Sequence, residues 1–317
     1  MNTPVISVVM PAHRSFSTIE RALNSVLAQD FPLPFELVVS FDDRKDGTKE
    51  ILEKYASTYP EIVRIHPKQK ATGAAGSRYE ALLECRGDLV CFLDSDDEML
   101  PNFLSVMYQA QQKDDADCVN CSFYVMSQGK RSPNIFEARK AMDHDQWLDA
   151  FLNDVSFRGF TWTKLIRKSL LLQTPLLLLE EYSDLFEDVA FLFSCLMKAK
   201  KVVTIPNRLY LYYKDNSNSA TSVPRKDRAL HHIAVFACIR RYIERYGSKR
   251  DLRRFFAHKI RFYWSVWFDI QLDKKGGADS RYLAQVKKEF GEVTKKNAPL
   301  QEEGAFYVSF LKRAFLA

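Results

Sequence analysis

Four short apolar runs, each closed by a polar or chain-breaking residue, recur along residues 5–93 with amphipathic stretches between them. Val5-Ile6-Ser7-Val8-Val9-Met10 is rich in β-branched residues and stops at Pro11. Phe35–Phe41, Ile62–Ile65 and Leu89–Leu93 have the same character, and each reads as a short buried strand. The intervening stretches read as helices. Ile19, Leu23, Val26 and Leu27 recur at helical spacing behind Ser17, a candidate N-cap with Glu20 three residues on. Thr48–Tyr59 and Ser77–Glu84 supply two more helices. Such alternation specifies a largely parallel sheet, wound as in nucleotide-binding α/β folds, whose ligands bind beyond the carboxyl ends of the strands. Those ends here are Pro11-Ala12-His13, Asp42-Asp43 and Asp94-Ser95-Asp96-Asp97.

The last of these makes the strongest chemical demand. An apolar strand that ends in three carboxylates within four residues is costly unless something cationic sits there. Mg2+ or Mn2+ is the natural partner, because hard cations take carboxylate oxygens. A metal so placed neutralises a diphosphate and stabilises it as a leaving group.

Composition narrows the setting. The 317 residues allow one large domain or two smaller ones, and 46% hydrophobic content supports a substantial core. No stretch approaches the roughly 20 uninterrupted apolar residues of a membrane-spanning helix. Met1-Asn2-Thr3-Pro4 does not open a basic-then-apolar leader, so a cytoplasmic location is expected. Cys118-Val119-Asn120-Cys121 has neither a second pair nor a nearby histidine and sits in a run that reads as a strand (Ala116–Val125), so a packing role is expected for it.

Charge is unevenly placed. Residues 225–317 carry 21 Lys+Arg against 10 Asp+Glu (+11), whereas residues 1–224 carry 25 against 30 (−5). The basic end reads as helices over 229–247 and 250–272, where Phe255, Phe256, Tyr263, Trp264 and Trp267 alternate with Arg250, Arg253, Arg254, Lys259 and Arg261. Inward packing or a homo-oligomer interface is the first reading. Contact with an anionic membrane surface, peripheral on the inner face of the plasma membrane, is the second. No nucleic-acid motif accompanies the charge, and no nucleic-acid partner is expected.

Several segments in order resemble the large glycosyltransferase family 2, inverting enzymes with the GT-A fold. Ser7–Arg14 resembles its opening SVVIPAYN, Ala22–Gln29 its ALNSVLAQ helix, and Phe35–Val39 with Asp42 and Asp46-Gly47-Thr48 its ELIVVDDGSTDGT. Gly73 with Ser77-Arg78 resembles GxxxARN, and Gly87–Asp97 resembles GDYIAFLDSDD. The resemblance is dense over residues 5–101. His13-Arg14 replaces the usual Tyr-Asn, Phe41-Asp42-Asp43-Arg44 the usual Asp-Asp-Gly-Ser, and Tyr79 the usual Asn. Later, Trp162–Arg167 resembles WNKLYR, Phe186–Phe191 resembles GEDxxF, and Tyr210–Lys214 resembles the YYYR segment.

The resemblance implies an α/β GT-A fold: a Rossmann-like, mainly parallel sheet with flanking helices, plus a C-terminal helical region. It implies a catalytic domain over 1–224, with a nucleotide-binding half (1–97) and an acceptor-binding half (98–224), followed by the basic helical region 225–317. By the same resemblance, Pro11, Ala12 and His13 would line the nucleoside pocket, and Asp42, with Asp43 beside it, would face the base. Arg78 would pair with phosphate or hold the acidic loop. Asp94 and Ser95 would contact the donor, and Asp96 would reach the metal. Asp188 would be the general base beside Glu187, Trp162 and Lys164 would lie on the acceptor side, and Lys214 and Ser219 would cover the diphosphate. The implied partners are a nucleotide-sugar donor, UDP favoured, and a glycan or lipid-linked acceptor. A nucleotidyltransferase of related fold would need a glycine-rich basic loop after the first strand, and Pro11–Ser15 has no glycine. A non-catalytic glycan-binding scaffold would not need Asp94, Asp96 and Asp188.

Overall fold

The structure is a computed structural model that describes residues 3–42, 45–68, 73–134, 138–153, 159–172, 187–214 and 228–259. Its first half alternates as expected: β1 (Ile6–Ala12), α1 (Ile19–Leu27), β2 (Phe35–Phe41), α2 (Thr48–Thr58), β3 (Val63–Pro67), α3 (Gly73–Glu84) and β4 (Leu89–Phe92). The second half is less regular: β5 (Glu98–Met99), α4 (Phe103–Asp114), β6 (Cys118–Ser127), β7 (Lys130–Asn134), β8 (Lys140–Met142), α5 (His144–Asn153), β9 (Lys164–Arg167), α6 (Lys168–Leu172), α7 (Glu187–Leu196), β10 (Val202–Tyr213) and α8 (Arg228–Tyr246).

The sheet runs β3-β2-β1-β4-β9-β6-β10-β5, with β7 paired to β6 and β8 to β10. β1 to β4 are mutually parallel. Beyond them the sheet is mixed. The four-residue β9 lies antiparallel between β4 and β6, so β4 and β6 run the same way, and β10 is parallel to β6. The parallel sheet expected from the first 97 residues is therefore one half of a larger mixed one.

Two local expectations differ. β1 continues through Pro11 because nothing is lost there. The carbonyls of Val5 and Val9 accept from Leu89 and Leu93, so the odd-numbered residues of β1 face β4. Pairing with β4 ends at Val9, and the missing N–H of Pro11 points where no strand follows. α1 begins at Ile19 behind Thr18, not Ser17, and without a side-chain cap. The Ser15 carbonyl accepts from the N–H groups of Thr18 (2.9 Å) and Ile19 (2.8 Å) instead.

Helices cover both faces. Ile19, Leu23 and Val26 of α1, Leu52 of α2, and Phe103, Leu104 and Met107 of α4 pack with Val8, Met10, Leu37, Cys91, Leu93, Cys121 and Phe123. On the other face α3 packs on β1 and β2, and α7 packs on α3 and α8. Phe92 of β4 meets Phe191 of α7 edge-on at 5.9 Å. Cys118 and Cys121 fall on opposite faces of β6, and burial pushes both thiols up to about 12.

At the amino ends of the parallel strands the carboxylate of Glu36 has no exposed surface. Its Oε1 accepts from Ser7 Oγ (2.7 Å) and Arg86 N (2.6 Å), and its Oε2 from Arg86 Nε (2.8 Å) and Arg64 Nη1 (3.1 Å). Burial alone would raise its pKa, but these four donors outweigh it and hold the carboxyl below its ordinary value. Ser7 Oγ also accepts from Gly87 N at 2.9 Å. A Cβ on Gly87 would stand 2.8 Å from Ser7 N, which is why this close approach needs glycine.

The chain divides into two compact units, Met1–Gly247 and Ser248–Ala317. Within the first, Phe193 of α7 meets Tyr242 of α8 at 6.3 Å. Within the second, Ser248 and Asp251 cap each other's N–H groups at the start of a helix over 249–259. The aromatic stretch from 260 onward, and with it the expectations of membrane contact or oligomerisation, lies outside the described residues. Among the described residues no helix is long and apolar enough to cross a membrane.

Candidate active site

The order β3-β2-β1-β4 reverses direction between β1 and β4. The loops beyond these two strands therefore diverge and leave a crevice at the carboxyl edge. The loop after β1, His13–Phe16, and the turn after β4, Asp94–Asp97, border it. Asp42 follows β2 on the same edge.

The acidic turn is held residue by residue from separate elements. Arg78 of α3, nearly buried, donates from Nη2 to Asp94 Oδ1 at 2.8 Å. Asp94 N donates to the Tyr210 hydroxyl of β10 at 3.2 Å. Ser95 Oγ lies 2.7 Å from Ser15 Oγ in the loop after β1. Arg21 of α1 donates to the Asp96 carbonyl. The Asp97 carboxylate turns inward, where Oδ2 accepts from Tyr210 Oη (3.0 Å) and Oδ1 from Tyr213 N (2.8 Å). Burial first, then the charges of Asp96 and Asp94, push the Asp97 carboxyl well above its ordinary range. Asp94 and Asp96 remain partly exposed.

Arg21 ties further. Its guanidinium stacks 3.7 Å from the centroid of the Tyr213 ring, and its Nε lies 3.3 Å from Glu98 Oε1. Tyr213 Oη donates to that same oxygen. Burial, followed by Glu98, pushes the Tyr213 phenol up to about 12, so the hydroxyl stays a donor at neutral pH. A second chain of bonds joins the loops. Thr48 donates to Asp46 through Oγ1 (2.9 Å) and N (3.2 Å), Ser15 N donates to Thr48 Oγ1 (3.1 Å), and Ser15 Oγ meets Ser95.

Among the nucleoside-pocket residues, Pro11 and Ala12 end β1, and exposed His13 puts Nδ1 3.6 Å from Asp42 Oδ2. Arg14 adopts φ 50°, a left-handed backbone that the Asn of the resembled motif takes at less cost. Asp43 and Ser219 lie outside the described residues. Lys214, exposed, follows Tyr213 and donates from its N–H to Met126 O at 2.9 Å.

The acceptor-side residues separate. Trp162 is buried and stacks on Tyr210 (4.6 Å) and Tyr212 (5.5 Å), so it braces the strand that holds the acidic turn. Lys164 is fully buried, donating to Phe160 O (2.9 Å) and Thr163 Oγ1 (2.6 Å), and Thr163 donates to Asn120 Oδ1 (2.8 Å). Glu187 opens α7, and next to it Asp188 Oδ1 accepts from Val189 N at 2.9 Å, as a carboxylate at a helix N-terminus does. The helix that Asp188 helps to open, α7, packs on α3, the helix that carries Arg78.

Ser15, Arg21, Tyr210 and Tyr213 are the residues that sequence reasoning missed. The one available signal was the repeated tyrosine at the end of β10, beside Lys214.

Comparison with known proteins places the chain among relatives. The model of the family "Glycosyl transferase family 2" matches residues 7–171. The uncharacterized glycosyltransferase EpsJ of Bacillus subtilis (strain 168) is 26% identical over 234 residues, which are 73% of this chain and 67% of EpsJ. An Escherichia coli protein named UDP-Glc:alpha-D-GlcNAc-diphosphoundecaprenol beta-1,3-glucosyltransferase WfgD is 30% identical over 127 residues, 40% of this chain and 49% of WfgD. The match thus spans about two thirds of one relative and half of the other. Residues 1–349 of Staphylococcus aureus TarS, in complex with UDP-GlcNAc, superpose with a TM-score of 0.67 at 21% identity, covering 92% of this chain and 80% of that one.

Proposed function

The chain belongs to glycosyl transferase family 2, and from that premise we propose that it moves a hexosyl or N-acetylhexosaminyl unit, with inversion, from a UDP-sugar to a glycan or lipid-linked acceptor. The expected setting is assembly of a bacterial surface polysaccharide, lipooligosaccharide or teichoic acid. The observation that carries this reading is the acidic turn Asp94–Asp97 at the crevice between β1 and β4, held from α1, α3, β10 and the loop after β1. The UDP-GlcNAc complex of TarS and the UDP-Glc in the name of WfgD support the choice of donor nucleotide.

Pro11, Ala12, His13 and Asp42 receive the nucleoside, and Asp94 and Ser95 the ribose and sugar. Among the described residues no three metal-ligating side chains converge. Mg2+ or Mn2+ would still suit the exposed carboxylates of the turn, because such hard cations can be held by one or two carboxylates together with substrate phosphate. Asp96 would hold the cation, which would neutralise the charge of the diphosphate. Arg78 holds the Asp94 carboxylate in place through its 2.8 Å bond. Lys214 approaches the diphosphate from the end of β10. The acceptor oxygen attacks the anomeric carbon, its proton passes to Asp188, and the anomeric C–O bond breaks with its electron pair leaving on the nucleoside diphosphate. Glu187 assists from beside the base, and the acceptor occupies the side on which Trp162 and Lys164 support the fold.

A panel of nucleotide-sugars tested for metal-dependent thermal stabilisation and UDP release tests the reading. We expect one UDP-sugar to raise the melting temperature only with Mn2+ or Mg2+. Absence of binding by every nucleotide-sugar, with or without metal, refutes it. Asp188→Asn should abolish transfer and leave donor binding intact; loss of donor binding would remove Asp188 from the role of base.

A further inference from the structure

The second half of the sheet carries two cations that the donor site does not use. Arg131 of β7 lays its guanidinium carbon 3.6 Å from the centroid of the Tyr124 ring, and Arg208 of β10 brings its own to 5.6 Å from the same centroid. Among the described residues neither guanidinium has a carboxylate partner. Elsewhere on this half Arg139 pairs with Asp114, and Arg167 with Asp115 and Asp117. Arg208 reaches its place by a register shift. The β6–β10 pairing passes from Arg208↔Ser122 to Tyr210↔Phe123, so Leu209 is the extra residue. Tyr210 and Phe123 thereby share the core face, and Arg208 shares the other face with Ser122 and Tyr124. The Arg208 Nε is buried and has no hydrogen-bond partner.

Two like charges converging on one ring, one of them with a desolvated donor, repel each other and call for an anion. Their place suits a substrate. Tyr124 sits in the carboxyl-terminal half of β6, which runs the same way as β4, so it lies toward the edge that bears the acidic turn. Arg131 pairs with Met126, Met126 pairs with Tyr213, and the Tyr213 N–H binds Asp97. With strands about 4.8 Å apart, the Arg131 backbone is about 10 Å from that of Tyr213.

We propose that Arg131 and Arg208 form a subsite for a phosphate group of the acceptor. This rests on the glycosyltransferase reading above and names the acceptor class that goes with it. Phosphate is favoured over carboxylate by geometry. The two oxygens of a carboxylate lie in one plane, whereas the oxygens of a tetrahedral phosphate point in several directions and so meet two forks that approach from different sides. The distances to the shared ring keep the two guanidinium carbons within about 9 Å of each other.

The test measures binding of poly(glycerol phosphate), polygalacturonate and phosphatidylglycerol vesicles to the full chain, to Arg131→Gln and to Arg131→Gln/Arg208→Gln. Expected is binding of poly(glycerol phosphate) that falls at least about tenfold in the double variant and in part in the exposed single variant, the effect of losing charge-assisted hydrogen bonds. Should the double variant misfold by its melting curve, Arg131→Gln decides alone. Equal binding by wild type and Arg131→Gln, or equal preference for polygalacturonate, overturns the proposal. Vesicle binding without polymer binding also overturns it, in favour of a membrane headgroup. The nucleotide-sugar panel on the same preparation separates failures: a donor that binds while polymer binding ignores the arginines leaves the enzyme reading intact, and no donor binding defeats the reading itself.

Discussion

Glu36 at the amino edge of the parallel strands and Asp94–Asp97 at the carboxyl edge both set acidic groups against apolar strands, and they are satisfied in different ways. Around Glu36 the protein supplies everything. Two oxygens take four donors from β1, β3 and the turn before β4, and no surface is left to water. Around the acidic turn the protein satisfies the backbone and the inward-facing Asp97, while Asp94 keeps 27% of its side-chain surface and Asp96 is also part-exposed. A buried charge answered entirely from within serves stability and register. A turn whose framework is tied while its acids stay reachable serves a ligand. The chemistry of the two edges follows from where the donors come from, not from how many acids are present.

The comparison makes its largest claim at Asp96. Asp96→Asn should cut sugar transfer about a thousandfold, ~4 kcal/mol of transition-state stabilisation, with the melting temperature nearly unchanged. A large drop in stability instead would make the turn a structural element like Glu36 and erase the contrast. Next comes Glu36→Ala. It strands the guanidinium of Arg86, removes one of Arg64's partners and leaves the Ser7 hydroxyl without its acceptor, and should cost about 3 kcal/mol in denaturant unfolding while turnover per folded molecule stays the same.

The same carboxylate predicts a pH effect of similar sign and smaller size. Its folded pKa lies below the ordinary 4.5, so its contribution is complete above that value and is lost as pH falls through the folded pKa. Glu36→Gln should flatten the acid side of the stability curve below about pH 4.5; an unchanged acid slope would mean other carboxylates control it. The smallest effect is expected at Ser15→Ala, which leaves Ser95 Oγ without its partner and should cost about 1 kcal/mol. A rise in donor KM alongside it would show that the two loops are read by the donor as one unit.

The first half was legible because each strand there is a compact β-branched run bounded by Pro, Gly or Asp, and because the carboxyl ends of parallel strands must share an edge. β9 was not. Its four residues follow Trp162-Thr163 and lead into Lys168-Ser169-Leu170, a pattern with no period of its own, and its place between β4 and β6 is decided by pairing alone. The acidic turn was legible as chemistry, but its supports were not. Tyr210 and Tyr213 stand more than a hundred residues from Asp97, and Arg21 more than seventy from Asp96, so nothing local betrays them. Lys164 shows the limit in the other direction. A lysine in a recognisable segment suggested a substrate contact, whereas burial and two oxygen partners on the turn before it, Phe160 O and Thr163 Oγ1, give it a bracing role.

The insertion of β9 also orders events during synthesis. β1 to β4 are complete once residue 92 has left the ribosome, and they can then pair with one another. The far edge of β4, however, has no neighbour until residues 164–167 leave the ribosome. For the time needed to translate about seventy residues, a few seconds to a quarter of a minute at typical rates, the nascent chain carries the unpaired backbone edge of a strand whose side chains are all apolar. The finished enzyme hides that edge in the middle of its sheet, and the growing chain must be shielded there until its own later segment arrives.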